Sequence, residues 1–301
     1  MASISSWISA LRPRTLFLAV ASAICGNGIA YTTGRFNLLI CILTILTATF
    51  LQLLSNMAND LGDYQHGTDI TGERVGPTRT VQSGAITPKE MKAAIAIAMS
   101  FSLVIGGLLI YEASQFMNLW YMLLFLFLGM MSIWAAIKYT AGHNPYGYKG
   151  LGDIFAFVFF GLVAVIGTFF LHVHKMTLQP WLPAIGIGLF TAAVLNVNNM
   201  RDMDNDRNSG KMTLAIRLGY SKAKLYHAFL TFGGIACFLA YSIIYSTQWY
   251  QYIYLITSVF FILIFFNIYK ASDKKLLDPY LKQTSIATFI LSIAFTICIN
   301  L

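Results

Sequence analysis

Long stretches without a single charged residue constrain this chain more than any other feature of its sequence. A helix needs about 20 apolar residues to cross the hydrocarbon core of a bilayer, and charge-free stretches of that length follow one another along the chain. They cover residues 15–34, 36–59, 93–111, 113–137, 154–174, 176–200, 225–269 and 283–301. The stretch 225–269 is long enough for two helices broken near Thr247. The sequence therefore predicts nine transmembrane helices.

The composition favours an all-α integral membrane protein and excludes other classes. Charged residues make up 11% of the chain and hydrophobic residues 57%, whereas soluble domains carry about 25% charged residues. These values exclude a water-soluble enzyme, a disordered chain and a nucleic-acid-binding domain. The stretches are also too long for the ~10-residue strands of an outer-membrane barrel. The four cysteines stand singly in apolar stretches, so neither a disulfide framework nor a zinc site is expected.

The charged residues fall almost entirely on one side of the predicted bundle. With nine spans, every Lys and Arg except Arg35 and Lys175 lies on the side of the N-terminus, and so does every acid except Glu112. The positive-inside rule makes that side cytoplasmic and places the C-terminus outside. We therefore expect a multi-pass protein of the inner (plasma) membrane, embedded in the lipid bilayer, whose long loops face the cytoplasm.

Two of these cytoplasmic loops begin with the same polar pattern, N-x-x-x-D. It comprises Asn59 and Asp63 at the end of the second span, and Asn198 and Asp202 at the end of the sixth. Residues four apart share one face of a helix, so each pair directs its oxygens to one side. Both spans run in the same direction, and the pattern therefore indicates an internal repeat.

The repeat predicts the organisation of the single domain 1–301. Two parallel repeats of four helices, related by an axis along the membrane normal, would cover about 11–141 and about 150–270. The segment 283–301 is then an extra helix.

The repeated acids form a candidate site for a metal ion and a diphosphate. Carboxylate and amide oxygens without Cys or His nearby favour a hard ion, magnesium or calcium. Magnesium usually bridges to substrate phosphates, and Arg79 and Lys211 follow the first and second clusters. This combination is typical of a diphosphate site, here for a lipid diphosphate. The alternative is that these are solvated loop acids paired with neighbouring basic residues.

With these motifs, the chain resembles the UbiA superfamily of intramembrane aromatic prenyltransferases. The resemblance lies in Asn59-Asp60-x-x-Asp63 and in Asp202-x-x-x-Asp206, which are similar to the aspartate-rich motifs of that family. The blocks 11–16 (LRPRTL), 76–87 and 145–153 (PYGYKGLGD) are closest to the branch that prenylates 1,4-dihydroxy-2-naphthoate in menaquinone synthesis.

This resemblance implies a reaction and a set of site residues. The reaction transfers a polyprenyl group from polyprenyl diphosphate to 1,4-dihydroxy-2-naphthoate, giving demethylmenaquinone with release of diphosphate and carbon dioxide, and Mg²⁺ is the cofactor. The acids expected to be catalytic are Asp60, Asp63, Asp202 and Asp206. The candidate metal ligands, from the resemblance and the repeated pattern together, are Asn59, Asp60, Asp63, Asp69, Asn198, Asp202 and Asp206. The residues expected to bind substrate are Arg79, Lys149, Lys211, Tyr139, Tyr146 and Tyr148.

Asp69 departs from the commoner pattern of the superfamily. There, the third acid follows Asp63 by four residues, but that position is Gly67 here and the acid comes at Asp69. Because glycine lets the chain turn freely, Asp69 is retained as a candidate ligand.

Two other functions remain open on the sequence alone. A related prenyltransferase could use another aromatic acid, 4-hydroxybenzoate or homogentisate. A transporter of an anionic substrate would also combine parallel repeats with buried polar groups. Transporter sites usually lie near the bilayer midplane, however, and no carboxylate here falls in the middle of a predicted span.

Overall fold

The computed structural model of the protein describes residues 2–68, 76 and 79–301. Within these ranges, nine helices are long and apolar enough to cross a membrane, as the sequence predicts. We number them spans 1 to 9. Their bounds are Pro13–Tyr31, Leu38–Gln65, Pro88–Ser114, Leu119–Lys138, Gly152–Val173, Trp181–Arg201, Tyr220–Tyr245, Trp249–Lys270 and Lys274–Ile299. A short helix, Ile4–Leu11, precedes span 1.

Polar caps explain where several spans begin. The side chain of Asn37 accepts hydrogen bonds from the first backbone N–H groups of span 2, and Asn118 does the same for span 4. Span 3 begins with a capping box between Thr87 and Glu90. Such caps satisfy N–H groups that have no partner inside the helix. The helix of span 3 therefore starts before the charge-free stretch 93–111 and includes charged residues.

Span 2 also extends beyond its predicted bounds, at its C-terminal end. The charge-free stretch ends at Asn59, but the helix runs on to Gln65. Asp60 and Asp63 are thus helical residues rather than loop residues. The end of the bundle at which they lie, together with Asp202 at the end of span 6, is called the acidic end below.

Span 5 contains a wide turn that the sequence does not predict. Its α-helical ends flank a π-helical segment, Phe157–Ile166, and π segments are frequent at functional sites. Gly161 lets this segment approach span 6 closely, because a Cβ atom at residue 161 would lie 2.5 Å from the carbonyl oxygen of Ala184. Another face of span 5 lines a cavity between spans 1 to 6.

Short connections fold over the acidic end. The 3-10 turn Tyr146–Lys149 lies between spans 4 and 5. The backbone carbonyl of Tyr148 accepts a hydrogen bond from the N–H of Met212 (3.0 Å), and that of Lys149 accepts one from Arg217 (2.9 Å). The connection between spans 4 and 5 is therefore docked on the connection between spans 6 and 7, which carries the second acidic cluster.

Candidate active site

Span 2 presents a polar stripe toward the central cavity. Gln52, Asn56, Asn59 and Asp63 line it, and their spacing of three or four residues puts them on one face of the helix. Successive members approach the acidic end, where Asp63 is the last. Thr140, just beyond span 4, donates a hydrogen bond to the Oδ1 atom of Asn59 (2.9 Å). The wall of the cavity thus changes from amides to a carboxylate along one helix.

Asp60 holds the loop that follows span 2. Its Oδ2 atom accepts hydrogen bonds from the backbone N–H and the hydroxyl of Thr80 (3.0 and 2.9 Å), and its Oδ1 atom accepts one from the N–H of Val81 (3.1 Å). The carboxylate is 2% exposed. Three donors on one buried carboxylate fix the loop residues 79–84, and this loop carries Arg79.

Asp63 meets the basic and aromatic residues predicted to bind substrate. It is buried and forms an ion pair with Arg79, which is itself buried. The hydroxyl of Tyr148 donates a hydrogen bond to the other oxygen of Asp63 (3.2 Å) and also contacts the hydroxyl of Thr68. The structure therefore brings the first acidic cluster, Arg79 and the connection between spans 4 and 5 together.

The second cluster is organised around Arg201. Its guanidinium donates two hydrogen bonds to Asp202 (2.8 and 2.7 Å), one to the amide oxygen of Asn198 (2.9 Å) and one to Asp278 (2.5 Å). Asp278, at the start of the last helix, also forms an ion pair with Arg14 (3.5 Å). Because the Arg201 side chain is fully buried, these charge-assisted bonds fix Asp202 and Asn198 in place.

Lys211 connects the two clusters electrostatically. It is 4% exposed and forms an ion pair with Asp206 (3.4 Å). Burial by itself would lower the pKa of Lys211, but Asp206 and Asp63 outweigh burial and hold this pKa well above its usual value. Burial raises the pKa of Asp206, while Lys211 acts in the opposite direction. The ammonium group therefore stays charged between acids from two distant parts of the sequence.

Aromatic side chains form the adjoining wall. Tyr139 and Tyr146 line the cavity, with their ring centroids 5.4 Å apart, and Tyr146 stacks on Phe155 at 3.9 Å. Burial raises the pKa of Tyr139 to about 12, so its phenol stays protonated at neutral pH. Gly147 permits this packing, because a Cβ atom there would lie 2.5 Å from the carbonyl oxygen of Tyr139. Aromatic faces beside a cationic reaction centre are a stabilising environment.

The cavity extends from these polar groups into the apolar interior of the bundle. Its volume is about 340 Å³. Beyond the polar stripe it is lined by apolar residues of spans 3, 4 and 5, which include Leu109, Phe125, Leu128, Phe159 and Leu171. One end can therefore hold a charged group, and the other an apolar chain.

Some predicted site residues line this cavity and others stand behind it. The predicted residues that line it are Asn59, Asp63, Arg79, Tyr139, Tyr146, Asn198 and Lys211. Asp206 and Tyr148 stand behind it and contact Lys211 and Asp63. Asp202 pairs with Arg201, and Asp60 binds the loop residues that directly follow Arg79. Lys149 is exposed, and only its backbone carbonyl has a described contact with the second cluster's connection. Asp69 lies outside the described residues.

Sequence reasoning missed Arg201 and Asp278. Arg201 directly precedes Asp202 and could have been noticed as its partner. Asp278 lies more than 70 residues further along, and no sequence signal links it to Arg201 (77 positions apart).

The donor set of this end fits a hard divalent cation. All the candidate ligands are carboxylate or amide oxygens, which magnesium prefers, and the buried Oδ2 atom of Asp206 has no hydrogen-bond partner among the described residues. Within those residues, no three Asp, Glu, His or Cys side chains converge to enclose a metal ion by themselves. Magnesium usually takes only one or two carboxylates and completes its shell with water and substrate phosphates, so these residues fit an ion that arrives with a diphosphate.

Comparison with known proteins gives consistent matches. Residues 18–286 match the UbiA prenyltransferase family. A protein of Haemophilus influenzae named 1,4-dihydroxy-2-naphthoate octaprenyltransferase is 41% identical, over 97% of this chain and 94% of its own length. A protein of the same name from Escherichia coli is 38% identical, over 98% and 95%.

Solved structures share the fold. The apo structure of a UbiA homolog from Aeropyrum pernix K1 has a TM-score of 0.69 at 17% identity, and covers 94% of this chain and 97% of that one. A UbiA homolog from Archaeoglobus fulgidus, bound to GPP and Mg²⁺, has a TM-score of 0.64 at 14% identity, with 96% and 99% covered.

Proposed function

The chain belongs to the UbiA prenyltransferase family, and from that premise we propose that it transfers a polyprenyl group from a polyprenyl diphosphate to 1,4-dihydroxy-2-naphthoate. It is a membrane-embedded prenyltransferase, with nine spans among the residues that the structure describes. The names of its Haemophilus influenzae and Escherichia coli relatives support the naphthoate acceptor and an octaprenyl donor.

One observation carries the proposal: acids and cations from two distant segments meet where an apolar cavity ends. Lys211 forms an ion pair with Asp206 and lines the same cavity as Asp63, and Arg79 pairs with Asp63. A lipid diphosphate matches both parts of this cavity, because its headgroup is strongly anionic and its tail is apolar. Neither half of the cavity alone would select such a molecule.

Breaking the allylic C–O bond leaves negative charge on the diphosphate oxygens. Arg79 and Lys211 are placed to bind these oxygens, and fixed cations in a site that excludes water lower the energy of charge that develops in the transition state. Tyr139 and Tyr146 present aromatic faces to the allylic carbon, which becomes cationic as the bond breaks. The aromatic acceptor then attacks that carbon.

The residues proposed to hold magnesium are Asn59, Asp63, Asn198, Asp202 and Asp206. Bound there with the substrate, Mg²⁺ supplies positive charge to the leaving diphosphate. Asp60 is proposed to act in the same site mainly through the loop that it fixes.

Prenyl transfer and loss of carbon dioxide leave the oxidation level of the acceptor unchanged. The ring gains a carbon–carbon bond to the prenyl group and loses its carboxylate as carbon dioxide, while diphosphate leaves with the electron pair of the C–O bond. The immediate product is therefore the quinol form of demethylmenaquinone.

We place the acidic end at the cytoplasmic face of the inner (plasma) membrane, with the C-terminus outside. The distribution of basic residues supports this orientation. The charged acceptor would then arrive from the cytoplasm, and the apolar tail would enter sideways from the bilayer.

The function is tested by assaying the purified protein in detergent, where transport has no meaning. A radiolabelled polyprenyl diphosphate is supplied with 1,4-dihydroxy-2-naphthoate, 4-hydroxybenzoate or homogentisate. We expect labelled product with the naphthoate, loss of activity with a chelator and recovery with added Mg²⁺. Product from another acceptor alone, or full activity after exhaustive chelation, would contradict the proposal.

A further inference from the structure

Gln52 is a buried amide of the polar stripe on span 2. It is 8% exposed and lines the cavity together with Thr15 and Asn56. It precedes Asp63 by about three helical turns, so it lies about 16 Å further from the acidic end along the helix axis. A buried amide costs free energy unless its oxygen and its nitrogen both have hydrogen-bond partners. The partners of the Gln52 amide therefore indicate what this part of the wall can bind.

A backbone carbonyl fixes the direction of the hydrogen bonds around Gln52. The carbonyl of Leu11 can only accept, so the side-chain atom of Asn56 that lies 2.7 Å from it is the amide nitrogen. The amide oxygen of Asn56 therefore accepts the bond from the nitrogen of Gln52 (2.8 Å). Each of these two nitrogens also donates to the hydroxyl of Thr15 (3.0 and 3.2 Å), which itself donates to the carbonyl of Arg12 (3.0 Å). Both N–H groups of each amide are thus used.

The oxygen of the Gln52 amide is left as an acceptor at the cavity wall. Among the residues that the structure describes, none donates a hydrogen bond to it, whereas both N–H groups of this amide have acceptors. A ligand at this position must therefore supply a donor. Under the proposed function the prenyl chain has no donor, and the diphosphate is bound at the acidic end. The aromatic acceptor carries two hydroxyl groups, so it is the substrate that matches Gln52.

We propose that Gln52 accepts a hydrogen bond from the 4-hydroxyl of the naphthoate acceptor and thereby selects that hydroxyl and orients the ring. This inference rests on the proposed function. The carboxylate of the acceptor can only accept hydrogen bonds, and Gln52 has no N–H group left for it, so the carboxylate points away from Gln52. The 1-hydroxyl lies next to the carboxylate and bonds to it internally, whereas the 4-hydroxyl lies across the ring. The carboxylated edge of the ring then faces the diphosphate site, where the reacting carbon of the donor is held.

Two naphthoates that lack the 4-hydroxyl test this contact. The first, 1-hydroxy-2-naphthoate, has a hydrogen at that position, and the second, 1-hydroxy-4-methoxy-2-naphthoate, has an oxygen without a proton. Their dissociation constants are compared with that of 1,4-dihydroxy-2-naphthoate by displacement of the tritiated acceptor from the purified protein. Magnesium and inorganic diphosphate replace the prenyl donor, so that no turnover occurs. The variant Gln52→Met removes the amide and keeps nearly the same side-chain length.

We expect the native protein to bind 1,4-dihydroxy-2-naphthoate roughly 10- to 100-fold more tightly than 1-hydroxy-2-naphthoate, because the latter leaves a buried amide oxygen without a partner. The methoxy compound should bind no more tightly than 1-hydroxy-2-naphthoate. In Gln52→Met the ratio between the dihydroxy and the monohydroxy compound should fall toward one. Gln115→Met is the control, because it makes the same substitution at an exposed position directly after span 3 and should preserve the ratio.

A ratio near one in the native protein would overturn the inference, as would a ratio that persists in Gln52→Met. An equal loss of affinity for all three compounds in that variant would also overturn it, since that is the behaviour of a purely structural residue. The methoxy compound tests the inference without any substitution, because binding as tight as that of the dihydroxy acceptor would contradict it. The proposed function fails separately, if the native protein does not prenylate 1,4-dihydroxy-2-naphthoate.

Discussion

Asp60 and Asp63 lie three positions apart on one helix, yet their carboxylates meet different partners. Asp60 accepts three hydrogen bonds from Thr80 and Val81, whereas Asp63 faces the cavity and pairs with Arg79. A rotation of about 100° per residue directs side chains three apart to neighbouring but distinct positions. Asp60 therefore fixes the conformation of the loop, and Asp63 forms part of the polar wall of the cavity.

Asp60→Asn should lower the stability of the protein. An asparagine amide replaces one acceptor oxygen by a donor, so a buried N–H or hydroxyl of the loop loses its partner, at a cost of about 1–3 kcal/mol. Thermal unfolding in detergent measures this change. Asp204→Asn serves as the control, because Asp204 is exposed and its ion pair with Lys274 contributes little. Equal shifts in Tm for the two variants would argue against the role of Asp60.

Asp63→Ala and Asp202→Ala should each reduce turnover by about 100-fold or more, because each removes a carboxylate that is proposed to hold Mg²⁺ beside the leaving diphosphate. If the two clusters act on one diphosphate, the double variant should be no worse than either single variant, as is found for residues that act as a unit. Rates at saturating substrate, with binding of the donor measured separately, provide the comparison. Multiplicative losses in the double variant would indicate two independent sites.

At this scale, the sequence predicts which residue types gather but not their pairings. The spacing N-x-x-x-D indicates that Asn59 and Asp63 share a helix face. It contains no information on whether Asp202 meets its neighbour Arg201 or a more distant cation. Those pairings depend on how the connections fold back, which is decided by tertiary contacts such as that of Arg201 with Asp278.

Among the elements, the spans were predictable and their ends were not. Hydropathy detects the part of a helix that must avoid water, so a helix predicted from hydropathy ends at the first charged residue. The helices of spans 2 and 3 extend past that point, where the capping box of Thr87 and Glu90 and the bonds of Asp60 satisfy polar groups. The π segment Phe157–Ile166 has no sequence signal of its own, and the predicted repeat of four helices stays a prediction.

Span 4 offers a test of where the prenyl chain lies. Gly129 lines the apolar part of the cavity, and a Cβ atom there would have no neighbour within 4 Å. Gly129→Phe should therefore fill cavity space without a steric clash, and should lower kcat/KM for long polyprenyl diphosphates more than for geranyl diphosphate. The ratio of the two kcat/KM values is the measurement.

Gly107 supplies the matched control for this substitution. It is exposed on span 3, and a Cβ atom there likewise meets nothing within 4 Å. Gly107→Phe should leave the chain-length ratio unchanged. A similar change of ratio in both variants would indicate an effect of hydrophobicity in the spans rather than of the cavity.

For the whole molecule, the proposed orientation rests on the distribution of charge and can be tested directly. Ser83 lies near the acidic end and Thr247 between spans 7 and 8, and both are exposed. Ser83→Cys should react with an impermeant thiol reagent only in inside-out vesicles, and Thr247→Cys only in right-side-out vesicles. All four native cysteines lie within spans, so the unsubstituted protein provides the background. Labelling of Ser83→Cys from the outside would reverse the topology.

The pairing of acids with bases at the acidic end has a consequence for the order in which ligands arrive. Asp63, Asp202 and Asp206 each have an internal cation, in Arg79, Arg201 and Lys211. A divalent ion arriving alone would have to compete with these partners, and a free diphosphate would face carboxylates that repel it. If both arrived together, the carboxylates would hold the ion, and the released guanidinium and ammonium groups would bind the diphosphate. We therefore expect the divalent ion and the diphosphate to bind synergistically. Each would replace one partner of the internal ion pairs, so little net charge would enter the membrane.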